Sequence, residues 1–133
     1  MFKSILIKAG ILGGLAVLGG AFGAHALKEV LNAEQLLSFQ TGVRYQLIHA
    51  VVLLFLFLVL QKYELKQFRM ASQFIFWGVL LFSGSIYLLT LKNGLDLSLL
   101  KFAGPITPIG GLLILIGWVF IVLGAFKLKE SGH

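Results

Sequence analysis

The sequence predicts an all-α integral membrane protein, a four-transmembrane-helix antiparallel bundle. Three observations predict it. Hydrophobic residues make up 59% and charged residues 12% of the 133-residue chain, against roughly 45–50% and ~25% in soluble domains. Mean hydropathy is +0.98. Four apolar runs stand out, each near the ~20 residues needed to cross ~30 Å of hydrocarbon. A backbone in lipid must satisfy its own hydrogen bonds, and none of the runs alternates as a barrel strand would, so all four are read as helices. This composition excludes a soluble globular domain, a disordered chain and a nucleic-acid-binding domain. The chain lacks cysteine, which removes disulfides, thiolate metal sites and Cys nucleophiles.

The expected spans cover residues 5–27, 43–61, 71–91 and 105–126 of a single membrane domain, 1–133. The first begins with Met1-Phe2-Lys3 and ends near Ala24-His25-Ala26, imitating a secretory signal with its cleavage site. Lys8 interrupts its start, and its glycine content and length suit a retained span. In the connection 28–42, Asn32 is placed to cap a helix with Gln35 as reciprocal partner. Residues 33–40 then form either a short interfacial helix or the first turns of a long second helix, with Thr41-Gly42 as a break between the two. Asn93-Gly94 marks a tight turn in the third connection. Gly104-Pro105 opens the fourth span, and Pro108 is expected within its first turn.

Four spans put both termini on one side. Lys3, Lys8, Lys62, Lys66, Arg69, Lys127 and Lys129 lie at that end, against Lys28, Arg44, Lys92 and Lys101 at the other. Seven basic residues against four favour both termini on the cytoplasmic side. The net charge of +6 is thereby read as a topological anchor.

Helices in lipid associate through close backbone approach, which needs small residues. The first span is rich in them. Gly10 and Gly14 form one GxxxG pair and Gly19 and Gly23 another, on different sides, so this helix is expected to sit centrally. Gly110, Gly117 and Gly124 recur every seven residues and cut one groove along the fourth span. These seven glycines are expected to pack the bundle or to leave a seam for a homo-oligomer. The second span is bulky: residues 51–60 are all Leu, Val or Phe.

Polar groups inside a membrane are expensive and therefore informative. Tyr45, Gln46 and His49 fall on one helical face, with Arg44 pointing away. Ser83 and Tyr87 share a face of the third span. His25 lies near the end of the first span, and antiparallel threading brings His25, Tyr45, Gln46, His49, Ser83 and Tyr87 into the outer half of the membrane. Such a cluster serves as hydrogen-bonding glue, as a pocket opening outward, or as an acid–base site. Two histidines without an intramembrane carboxylate fall short of a zinc site. No metal or other cofactor is expected, and no catalytic residue is assigned.

The residues also resemble a known family. Gly20-Ala-Phe-Gly-Ala-His25, then Thr41-Gly-Val-Arg-Tyr-Gln46-Leu-Ile-His49-Ala, then Ser83-Gly-Ser-Ile-Tyr87-Leu, then Gly104-Pro-Ile-Thr-Pro-Ile-Gly-Gly111 followed by Trp118 resemble the domain-of-unknown-function 423 group of small bacterial membrane proteins, related to transmembrane protein 256. The resemblance covers nearly the whole chain and implies a four-span inner-membrane protein. It carries no activity, but its motifs imply His25, Arg44, Tyr45, Gln46, His49, Ser83 and Tyr87 as the seven residues of the outer polar cluster. Ser38-Phe39 departs from the pattern, since relatives often place a Trp before the threonine.

The expected function is that of an accessory or structural membrane protein binding a protein or lipid partner. A small transporter or channel subunit is one alternative. A membrane enzyme acting on a lipid or quinone, using His25 or His49, is the other. The expected partners are the bilayer and a membrane protein or second copy, not nucleic acid.

Overall fold

The computed structural model describes residues 2–90 and 97–129, without the side chains of Ala24 and residues 97–103. It is a bundle of four antiparallel helices: α1 (Lys3–His25), α2 (Ala33–Lys62), α3 (Lys66–Thr90) and α4 (Leu97–Lys127). Each contains a segment long and apolar enough to cross a membrane. Lys92, Asn93-Gly94 and Asp96 fall outside the described residues.

The start of α2 follows from local chemistry. Asn32 Oδ1 accepts the Gln35 amide at 2.8 Å, and Gln35 Oε1 accepts the Asn32 amide at 3.0 Å. This reciprocal cap satisfies two donors that the first turn would otherwise strand. The helix then runs unbroken to Lys62, so residues 33–40 are its first turns. Thr41-Gly42 does not interrupt it. The Thr41 hydroxyl donates to the Leu37 carbonyl one turn back (2.9 Å), which ties the side chain to the helix instead of competing with it. Three residues, 63–65, reverse the chain into α3, with the Tyr63 amide bonded to Val59 O and the Leu65 amide to Tyr63 O.

Helix α4 begins at Leu97, two turns earlier than the sequence suggests. Pro105 and Pro108 are therefore inside the helix rather than in its first turn. Each removes one amide donor, from the carbonyls of residues 101 and 104. Prolines are tolerated in membrane helices where neighbouring groups re-satisfy the freed backbone.

The strongest packing joins α3 to α4, followed by α1 with α2 and α2 with α3. The seven-residue glycine repeat explains the first. A Cβ at Gly117 would meet Ile75 Cγ1 at 2.5 Å, and one at Gly124 the Phe68 ring at 2.6 Å. Gly78 and Gly110 face each other across the seam, where the Gly110 position abuts the main chain of Phe82. The two backbones touch there because neither carries a side chain.

Helix α1 is not central. It lies at one edge and buries a single stripe (Phe2, Ile5, Ala9, Leu12, Ala16), facing chiefly α2. Gly13 approaches Ala50, Gly19 approaches Val43 and Gly23 approaches Phe39. Gly10 and Gly14 meet nothing within 4 Å. The centre belongs to α2 and α3 instead. Leu53, Leu60, Ile75 and Val79 are essentially sealed from outside and join Phe2, Ile5, Phe68 and Ile114 in one apolar core.

Candidate functional site

The polar residues occupy the half of the bundle away from the chain termini, where they form two networks. The first hangs on Gln46, which is buried. Its Nε2 donates to the Leu12 carbonyl of α1 at 2.8 Å, and its Oε1 accepts from the Tyr87 hydroxyl of α3 at 2.6 Å. One side chain thus ties three helices. Next to it, Ser83 Oγ donates to the Gly42 carbonyl of α2 at 2.7 Å. Gly42 is needed there, since a Cβ would lie 2.9 Å from the Tyr87 ring. Phe39 closes the group against Tyr87, with ring centroids 5.2 Å apart.

The second network runs from α2 to α4. His49 is 4% exposed. Its Nε2 lies 3.1 Å from Trp118 Nε1, and its Nδ1 lies 2.7 Å from the Tyr45 carbonyl. An indole nitrogen can only donate. Nε2 must therefore carry the lone pair and Nδ1 the proton, which it donates to Tyr45 O. The ring is held as a neutral, single tautomer with both nitrogens committed. Tyr45 stacks on it at 5.9 Å and leans on Phe82 at 4.7 Å. A third tie joins Ser85 Oγ to Thr107 Oγ1 at 2.5 Å between α3 and α4.

Gln46, His49, Ser83 and Tyr87 are therefore placed between helices, while Tyr45 packs on His49 and Phe82 from an exposed position; Gln46 and His49 address different neighbours. His25 and Arg44 join neither network. Both are exposed. His25 stands at the end of α1 beside Ala21, Phe22 and Ala26, on a different helix and face from His49. Sequence reasoning missed the Leu12 carbonyl as an acceptor and Trp118 as a donor. A signal for the first was present: small residues on α1 let α2 approach closely enough for a glutamine to reach a main-chain oxygen.

Among the described residues every buried side-chain nitrogen or oxygen has a hydrogen-bond partner. None of their His, Asp and Glu side chains gather in threes about a point where a metal could sit. A cavity of about 480 Å3 opens near the end of α3, between Glu34, Ser38, Thr90 and Thr107. It is lined by none of the seven cluster residues.

One further charge lies within a span. Lys8 of α1 places its ammonium 4.6 Å from the Phe76 ring centroid of α3. An aromatic face offsets part of the cost of a cation at that depth.

Residues 19–111 match the family model described as "Protein of unknown function (DUF423)". The chain is 39% identical to the UPF0382 inner membrane protein YgdD of Escherichia coli K12, over 98% of this chain and 95% of that protein. It is 37% identical to a UPF0382 membrane protein of Haemophilus influenzae, over 98% and 99%. A Staphylococcus saprophyticus relative is 34% identical over 93% and 98%. No solved structure matches. With four apolar helices and inner-membrane relatives covering nearly its full length, the chain is a multi-pass inner-membrane protein and belongs to the DUF423 family.

Proposed function

We propose that this protein is an accessory membrane protein that associates with another transmembrane helix, from a second copy or a protein partner, through the free face of α1. One observation carries the reading. Five of the seven glycines expected to pack helices are filled by a neighbouring side chain or backbone, while Gly10 and Gly14 meet nothing. These two lie on the stripe of Lys3, Ile7, Val17 and Ala21, all exposed and opposite the buried stripe of α1. A small-xxx-small pair at that position suits close approach by a further helix.

The two polar networks act in this reading as glue that holds the presenting surface rigid. Both nitrogens of His49 are engaged and His25 lies elsewhere, which weighs against a shared acid–base site. The core towards the chain termini is apolar, which weighs against a water path within one copy. Both termini face the cytoplasm in this proposal, by the seven-to-four distribution of basic residues.

A photo-crosslinker placed at Val17 and, as a control, at Leu58 of α2 tests the association in native membranes. A discrete product from Val17 that disappears in Gly10→Leu/Gly14→Leu is expected. Equal, diffuse labelling at both positions would overturn it. For topology, the cysteine-free chain allows Glu34→Cys and Lys66→Cys to be labelled singly in intact cells. Labelling of Lys66→Cys from outside would reverse the orientation.

A further inference from the structure

Helices α2 and α4 do not close on each other in the half of the bundle that holds the chain termini. Between them lies a cleft of about 400 Å3 walled by Val52, Phe55, Val59, Trp118, Ile121 and Ala125. Its lining is apolar along its length. Tyr63 and Leu128 form its lower end, and the same two residues line a second cavity, of about 320 Å3, with Glu64, Lys127 and Lys129. The apolar cleft and the charged mouth therefore adjoin, sharing Tyr63 and Leu128. Lys62 stands at the same edge, its ammonium 5.1 Å from the Tyr63 ring centroid. Lys62, Lys127 and Lys129 thus stand at this end with one acid, Glu64, among the described residues; Glu130 lies outside them.

The dimensions fit one molecule class. Eleven residues of α2 separate Val52 from Tyr63, about 16 Å along the axis, which is one leaflet of a ~30 Å hydrocarbon layer. An acyl chain entering from the bilayer would lie along the cleft with its headgroup at the lysines. Lysines flank membrane spans for topological reasons alone. Here, however, two of them, Lys127 and Lys129, border a cavity that adjoins a cleft of acyl-chain length, and basic pockets between spans suit anionic headgroups. We propose that the α2–α4 cleft is a binding site for an anionic phospholipid of the leaflet nearest the chain termini. This site is independent of the α1 surface.

Trp118 borders the cleft and Trp77 sits exposed on α3, so the two tryptophans (of two in the chain) provide a test. The Trp77→Phe protein, reporting through Trp118, is reconstituted in phosphatidylcholine containing a small, equal fraction of acyl-brominated phosphatidylglycerol or acyl-brominated phosphatidylcholine. Brominated phosphatidylglycerol is expected to quench Trp118 at a severalfold lower fraction. Lys127→Gln/Lys129→Gln is expected to weaken that preference about fivefold per lysine. Both lysines are exposed, and an unchanged far-UV spectrum reports the fold. The Trp118→Phe protein, reporting through Trp77, is expected to show no headgroup preference. Three results would overturn the site: equal quenching by the two lipids at Trp118, a preference that survives loss of both lysines, or the same preference at Trp77, which would indicate enrichment around the whole protein.

Discussion

Replacing Gly110 by alanine probes the α3–α4 seam most directly. A Cβ at this position would lie 2.8 Å from Phe82 Cα, 2.9 Å from Gly78 O and closer still to Phe82 N. All three are main-chain atoms, so no side-chain rotation relieves the overlap. Either helix axis must shift, and the contacts at Gly117–Ile75 and Gly124–Phe68 loosen with it. Overpacking costs about 1–3 kcal/mol, and a backbone obstacle belongs at the upper end. Alanine recovers about 0.5–1 kcal/mol of helix propensity, leaving a net loss of about 2 kcal/mol. Gly84 is the matched control. It lies on α3, and its Cβ would meet nothing within 4 Å, so Gly84→Ala should be neutral or slightly stabilising. Reversible unfolding by SDS in mixed micelles measures both. The two variants should differ by about 2.5 kcal/mol, a factor near 70 in the unfolding equilibrium. A difference below about 0.5 kcal/mol, within ordinary surface-substitution scatter, would refute backbone contact at this seam.

Other substitutions test the polar ties. Gln46→Leu removes the acceptor of the Tyr87 hydroxyl, and Tyr87→Phe removes the hydroxyl itself; a double-mutant cycle in the same assay should give a coupling of about 0.6–1.7 kcal/mol, the range for hydrogen bonds between membrane helices. Additive losses would break the proposed link. In 15N-labelled protein the His49 ring should show a protonated Nδ1 and an unprotonated Nε2, and Trp118→Phe should shift the Nε2 resonance while leaving that of Nδ1 nearly in place. A reversed tautomer contradicts the assignment. Asn32→Ala should cost about 1 kcal/mol of local stability and speed amide exchange over residues 33–40 without affecting residues 50–60; uniform exchange would show that the cap does not govern the start of α2.

The legible parts of the fold were those written in local chemistry. The Asn32–Gln35 cap needs only the spacing of two residues, and the Gly110–Gly117–Gly124 groove needs only helical periodicity. Placement was harder. Glycines show where a backbone can be approached, not how many neighbours will do so. Thus α1 has small residues on both sides, yet only one side is filled. The bulky side chains of α2 took the centre because Leu53, Leu56 and Leu60 fill space that α1 leaves. The prolines misled for a related reason. Pro105 suits a first turn, but the helix continues upstream of it.

The polar site was legible as a list of residues and not as a connected group. Tyr45, Gln46 and His49 lie within one turn, so they occupy a common arc of α2. That arc is about 100° wide, enough to address α1 and α3 at one edge and α4 at the other. Helical spacing alone does not say where one neighbour ends and the next begins. His25 is polar and near the right depth, but it stands exposed at the end of the edge helix.

The ties around Gln46 divide unequally between main chain and side chain. Gln46 Nε2 and Ser83 Oγ both end on carbonyls, those of Leu12 and Gly42. No side-chain replacement deletes a carbonyl. At residue 12 any amino acid that keeps the helix in register offers the same oxygen, so the buried Leu12 side chain is held by core packing and not by this bond. The mutable halves are concentrated in α2 and α3. A screen for loosened variants should therefore recover lesions at Gln46 and Ser83 far more often than polar lesions in α1, making the architecture robust on one side of each bond and brittle on the other.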